Sequence, residues 1–182
     1  MISYPIQSIE SAPGSSKLPL KQLEQAFGFV PNLVGAIANS PVRTNSLVGL
    51  FVNVHGSHFT EAEIQVLLLT DAVANSCSWA VAFHTALALK EGVDPADVQA
   101  IRQRQLPANK RYAALSKLAG TLIEQRGHLS NEDLTTFIEA GFEQELALEV
   151  VAVVAASTIT NYAGNITKPP LEAAFQRHAW RG

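Results

Sequence analysis

Sulfur is almost missing from this chain, whose 182 residues include one cysteine and one methionine. A single cysteine excludes an intrachain disulfide framework and a thiolate metal cage, so Cys77 is the only thiol available for chemistry. Charge is also scarce: charged residues make up 16% of the chain, against roughly 25% in ordinary globular domains. The thirteen Lys and Arg are scattered, and the net charge is −3. No basic field exists to attract a phosphate backbone, and nucleic acid is not expected as a partner. Met1-Ile2-Ser3-Tyr4-Pro5 lacks the charged start and apolar run of a signal peptide. The longest unbroken apolar runs fall short of a membrane span, so a cytoplasmic protein with no membrane partner is expected. No phosphate-cradling glycine loop and no metal-ligand cluster stand out, and neither cofactor nor metal is called for.

Sustained two-residue alternation is absent too, which excludes half-buried strands and leaves an all-α chain. No Gly/Ser or Pro-rich linker divides the middle, so residues 18–182 read as one helical domain behind an extended arm, residues 1–17, punctuated by Pro5, Pro13 and Gly14. Helix starts and stops are marked clearly. Leu18 to Phe27 ends at Gly28, Pro31 opens a short helix through Ala38, and Ser40-Pro41 starts one that runs to about Val54. Thr60-Glu61-Ala62-Glu63 has the capping-box pattern, so both acids read first as capping residues. His55 and His58 lie in the connection before it, and with too few further ligands for a zinc site they read as loop polarity. Later helices follow from Asp94-Pro95, Asn109 and Ser130, and a long apolar helix runs from Glu143 to about Ile166, before Pro169-Pro170.

Two apolar helices should meet at Asn75-Ser76, placing Cys77 at the start of the second. There, free backbone N–H groups and the helix dipole favour a thiolate. Position 80 lies one turn on and His84 two turns on, so all three share a helix face. Taken alone, a lone cysteine is as readily an inert core residue, His84 a buried histidine satisfied by a carbonyl, and Trp79 and Phe83 core or pocket wall.

Asn75-Ser76-Cys77-Ser78-Trp79-Ala80 followed by His84 resembles the Asn, small residue, Cys-x-x-Cys, three residues, His motif of the alkylhydroperoxidase D-like and carboxymuconolactone decarboxylase superfamily. Phe29-Val30-Pro31-Asn32-Leu33, Ala38-Asn39-Ser40-Pro41 and Thr160-Asn161-Tyr162-Ala163-Gly164-Asn165 resemble the ends of its longer, peroxidase-related members, so the resemblance covers nearly the whole chain. It implies an all-α bundle and a homo-oligomer; the 47% hydrophobic content alone fits a large core equally well. In the redox-active branch a glutamate twelve residues before the first cysteine serves a proton relay with the histidine. Here Cys77 and His84 match, while Ala80 replaces the second cysteine and Gln65 the glutamate. Gln65 has no proton to pass, and Glu63, turned by about 200° on a helix, is a poor substitute.

The resemblance therefore implies a one-cysteine peroxidase in which Cys77, assisted by His84, attacks an organic hydroperoxide and leaves a sulfenic acid for an external thiol to reduce. The decarboxylase branch implies a second class, a cofactor-free lyase or isomerase with His84 as acid or base. No pair of arginines stands ready for a dicarboxylate substrate. The third class is a non-catalytic oligomeric binder of small molecules that keeps the pocket. Gln65, Trp79 and Ala80 are expected to support the site in any of these.

Overall fold

The computed structural model describes residues 3–182, so the first two residues of the arm lie outside it. Nine α-helices are found among them: α1 (Lys17–Phe27), α2 (Asn32–Ile37), α3 (Pro41–Val54), α4 (Glu61–Ala74), α5 (Ser78–Lys90), α6 (Pro95–Arg102), α7 (Lys110–Glu124), α8 (Asn131–Glu139) and α9 (Leu146–Thr167). Short 3-10 helices precede and follow them at Gly14–Ser16 and Ala173–His178, and no strand occurs among the described residues. Apolar residues on every side of α4 explain its place. Ile64, Val66, Leu67, Leu68 and Leu69 are all buried, so the helix must be enclosed, and α5, α7 and α9 pack around it.

The arm folds back on its own chain. The Gln7 amide donates to the Gly35 carbonyl at 3.1 Å, and Asn39 Nδ2 donates to the Pro5 carbonyl at 2.7 Å. Gly35 permits this approach, since a Cβ there would lie 2.6 Å from Ile6 Cγ2. The stop signals act as expected at Gly28, whose φ of 81° closes α1 in the left-handed conformation. Thr60 and Glu63 form the capping box of α4. Glu63 also accepts from Arg111 Nη2 at 2.8 Å, which turns it away from Gln65.

Two features were not apparent in the sequence. Once formed, α9 has the length and apolar composition of a membrane span, although no unbroken apolar run does. Within its most apolar window 44% is buried in the bundle, and Leu148, Val151, Tyr162 and Ile166 stay exposed. After Pro169-Pro170 the chain returns across α5 as a strap, where Glu172 accepts from Trp79 Nε1 at 3.0 Å and from the Asn32 amide at 2.7 Å. Phe175 meets Phe83 edge-on, with ring centroids 5.2 Å apart.

Candidate active site

The junction of α4 and α5 positions the site. Ser76 is left-handed, with φ of 52°; its amide donates to the Val73 carbonyl and that of Cys77 to the Ala72 carbonyl at 2.9 Å. This double closure is a Schellman turn with serine in the place usually held by glycine. It leaves Cys77 as the N-cap of α5. Asn75 Nδ2 donates to the Asp71 carbonyl, and Asn165 Nδ2 on α9 donates to the Asn75 carbonyl, both at 2.9 Å, so the turn is fastened from two sides.

At that N-cap the Cys77 sulfur faces α9 and is 1% exposed. A methyl group on Gly164 would lie 2.6 Å from Sγ and 3.6 Å from Leu33 Cδ1, so the sulfur and Leu33 both crowd the glycine. Burial pushes the thiol above its ordinary value, and the amides of Ala80 and Trp79 pull the other way. Ala80 is fully buried. No hydrogen bond joins Cys77 to His84 among the described residues.

His84, two turns along α5, enters a different space. A cavity of about 570 Å³ opens between α1, α3, α4 and α5, with His84, Gln65, Leu33, Trp79, Phe83 and Phe51 among its walls. Its volume is that of a small-molecule site. Cys77 does not line it, whereas Leu33 does. His84 Nδ1 lies 3.0 Å from Gln65 Oε1, so Nδ1 carries the hydrogen and Nε2 is left without a protein partner. Burial, and next the positive field of His55, lower His84 to about 3, which keeps the imidazole neutral. Trp79 stacks on Phe83 at 4.9 Å, and Phe27 from α1 meets Phe83 edge-on at 5.4 Å. These aromatics form a wall with its polar atoms already satisfied.

The arrangement brings Gln65, Trp79 and His84 to one cavity and leaves Cys77 outside its lining, against Gly164. The sequence reading missed two residues there. His55, at the C-terminal cap of α3, also lines the cavity, and its Nδ1 lies 2.9 Å from Glu61 Oε2. Glu61 therefore fixes a histidine while Glu63 does the capping. A histidine at a helix end six residues before an acid that caps nothing was the available signal. His58 bonds instead to Glu149. Among the described residues no three His, Cys, Asp or Glu gather as a metal site.

A second buried group stands where α4 meets α9. Asp71 has no exposed surface, and neither carboxylate oxygen has a well-formed hydrogen bond. Burial raises it to about 8, with Ser157 acting weakly in the opposite sense. Asn161 donates to Ser157 Oγ at 3.0 Å, while its own carbonyl oxygen has no partner.

The model of the carboxymuconolactone decarboxylase family matches residues 49–119, a span running from α3 through α7 and including both Cys77 and His84. Over these residues the chain resembles that family. A peroxidase-related protein from Ralstonia eutropha JMP134, with an alkylhydroperoxidase AhpD core, superposes with a TM-score of 0.83 at 19% identity, covering 94% of this chain and 93% of that one. A variant of the debrominase Bmp8 in complex with 2,3,4-tribromopyrrole superposes with a TM-score of 0.79 at 19% identity, over 98% of this chain and 95% of that one. A peroxidase-related protein from Silicibacter sp. TM1040 gives 0.79 at 17% identity, over 96% and 92%. At such identities the likeness is one of fold, and the fold is the all-α alkylhydroperoxidase D-like bundle. A search of curated proteins found no match.

Proposed function

We propose that this chain is a cofactor-free enzyme acting on a small, mainly apolar organic molecule. The substrate would bear one polarised O–H or N–H group, accepted by His84 Nε2. The observation that carries this reading is the Gln65–His84 pair in the cavity wall, which fixes the ring and leaves one lone pair for a ligand. In Bmp8, of the same fold, 2,3,4-tribromopyrrole is a small apolar ring with a single N–H, a ligand of this kind. As a neutral imidazole, His84 would polarise that O–H or N–H through the hydrogen bond it accepts, and Gln65 would hold the tautomer. Calorimetric titration with 2,3,4-tribromopyrrole tests this. His84→Phe should weaken binding about tenfold and Cys77→Ser should leave it unchanged. Equal affinity of wild type and His84→Phe would refute the role given to Nε2.

A one-cysteine peroxidase is the second reading, favoured by the place of Cys77 at the N-terminus of α5 beneath the Trp79 and Ala80 amides. The thiolate would attack the terminal oxygen of an organic hydroperoxide, releasing the alcohol and leaving a sulfenic acid, which one external thiol converts to a mixed disulfide with loss of water and a second thiol returns to the free cysteine. The sulfur, which lies outside the cavity lining, must first reach the cavity. Consumption of cumene hydroperoxide with added dithiothreitol, lost in Cys77→Ser, would favour this reading over the first.

Self-association is part of the proposal. Leu148, Val151, Tyr162 and Ile166 form an exposed, uncharged stripe along α9, which suits a second copy of the same stripe. Sedimentation of wild type and Leu148→Glu should give a dimer or larger and a monomer, respectively.

A further inference from the structure

Gln65 has a second polar end that the reading above leaves unused. Its Oε1 accepts from His84 Nδ1 at 3.0 Å, which fixes the amide and aims Nε2 elsewhere. That nitrogen carries two hydrogens, and among the described residues it has no protein partner. Gln65 is 4% exposed and lines the cavity, so its amide meets the cavity rather than bulk water. The other polar side chains of the wall are already bonded or solvated. Trp79 donates its N–H to Glu172 at 3.0 Å and Thr160 its hydroxyl to the Ala156 carbonyl at 3.3 Å, while Gln22 and His55 are exposed. An enclosed N–H without an acceptor is unfavourable, and a ligand oxygen set against it removes that penalty.

We infer that the Gln65 amide recognises a carbonyl: the small apolar molecule that enters the cavity carries a ketone, aldehyde or amide oxygen, and that oxygen accepts from Gln65 Nε2. No covalent bond is made or broken in this step. One side chain then acts in two directions, its oxygen orienting His84 and its nitrogen orienting the ligand, so Gln65 determines specificity as well as supporting the imidazole. A carboxylate at this position would offer acceptors alone, and the cavity would select a donor there instead. The inference rests on the Gln65–His84 bond used above. It is separable from the role of Nε2 on His84, because the carbonyl answers to Gln65 and the O–H or N–H answers to His84.

NMR titration of the full chain with acetophenone and with α-methylstyrene, which has a methylene in place of the oxygen, tests it. The preference for acetophenone over α-methylstyrene should fall about tenfold from wild type to Gln65→Leu, and stay unchanged in Gln22→Leu, whose exposed amide is already met by water. The two ligands share one shape, so lost packing would weaken both and leave their ratio alone. Infrared difference spectra of wild type with isotope-labelled acetophenone give a second readout that needs no variant. The C=O stretch of the bound ketone should lie below its position in hexane, the sign of an accepted hydrogen bond. An unchanged ratio in Gln65→Leu, or a stretch at the hexane position, overturns the contact, and so does failure of both ligands to bind wild type. His84 is read separately by 2,3,4-tribromopyrrole against its N-methyl derivative, whose affinity ratio should fall in His84→Phe. Persistence of that ratio would sink the role given to His84 and leave the Gln65 contact standing.

Discussion

Replacing Asp71 by asparagine is the sharpest perturbation the structure offers. The group is fully enclosed between α4 and α9, and burial lifts it from 3.8 to about 8. In the unfolded chain it ionises above about pH 4, while in the fold it keeps its proton until about pH 8. Across that window the native state holds a proton that the unfolded state has lost. This group therefore makes stability fall as pH rises, by about 1.4 kcal/mol per pH unit. Since pH 7 lies a little over three units above 3.8, the loss there is on the order of 4 kcal/mol, a large part of a typical domain's 5–15. His84 acts in the opposite sense. Lowered to about 3 from 6.5, it stays neutral in the fold while the unfolded chain protonates, so its stabilisation is lost as pH falls below 6.5. In wild type the two slopes nearly cancel between about pH 4 and 6.5, and above 6.5 the Asp71 slope stands alone. Asp71→Asn keeps the shape of the neutral acid and cannot ionise. Urea denaturation of both proteins from about pH 4.5 to about 8 should give curves that diverge by about 1.4 kcal/mol per unit, with the variant gaining. Parallel curves would mean that Asp71 is ionised in the fold and its cost met by a partner, and the reasoning would be wrong.

Gly164→Ala should cost about 1–3 kcal/mol, because the new methyl meets the Cys77 sulfur at 2.6 Å, and most of that cost should vanish in a Cys77→Ala background. Additive losses in the double variant would disprove the contact. Leu33→Ala should open the way from cavity to sulfur and speed labelling of Cys77 by a soluble disulfide reagent at least tenfold, at a cost of about 2–5 kcal/mol. Labelling no faster than that of an equally destabilised Phe137→Leu variant, altered far from the site, would place the access route elsewhere. Glu63→Gln keeps the cap but removes the ion pair with Arg111, and should lower stability by about 1–3 kcal/mol without affecting ligand binding. A change in affinity would tie Glu63 to the site.

Most of the helical framework was legible because its signals are local. Gly28 ends α1, Ser40-Pro41 opens α3, Thr60 with Glu63 caps α4, and Asn75-Ser76 separates α4 from α5, each through hydrogen bonds within a few residues. The interval from Cys77 to His84 likewise followed from helical geometry. Shared helix face did not settle shared surroundings. Cys77 ends against Gly164 and His84 ends beside Gln65, because the neighbours that decide each environment come from α2, α4 and α9, up to 87 residues away in sequence. The roles of Glu61 and Glu63 were hidden for a related reason. Both suit a helix N-terminus, and only the positions of His55 and Arg111 show which acid pairs with which.

By itself the sequence determined an all-α chain, the ends of its helices, and a thiol and an imidazole two turns apart, since caps, glycine conformation and helical periodicity act over a few residues. Tertiary structure alone decided that the sulfur is enclosed by α9, that the imidazole, Gln65 and His55 line a cavity, and that Asp71 is shut between two helices. Burial and electrostatic surroundings are set by whichever distant segments pack nearby, and no local pattern encodes them.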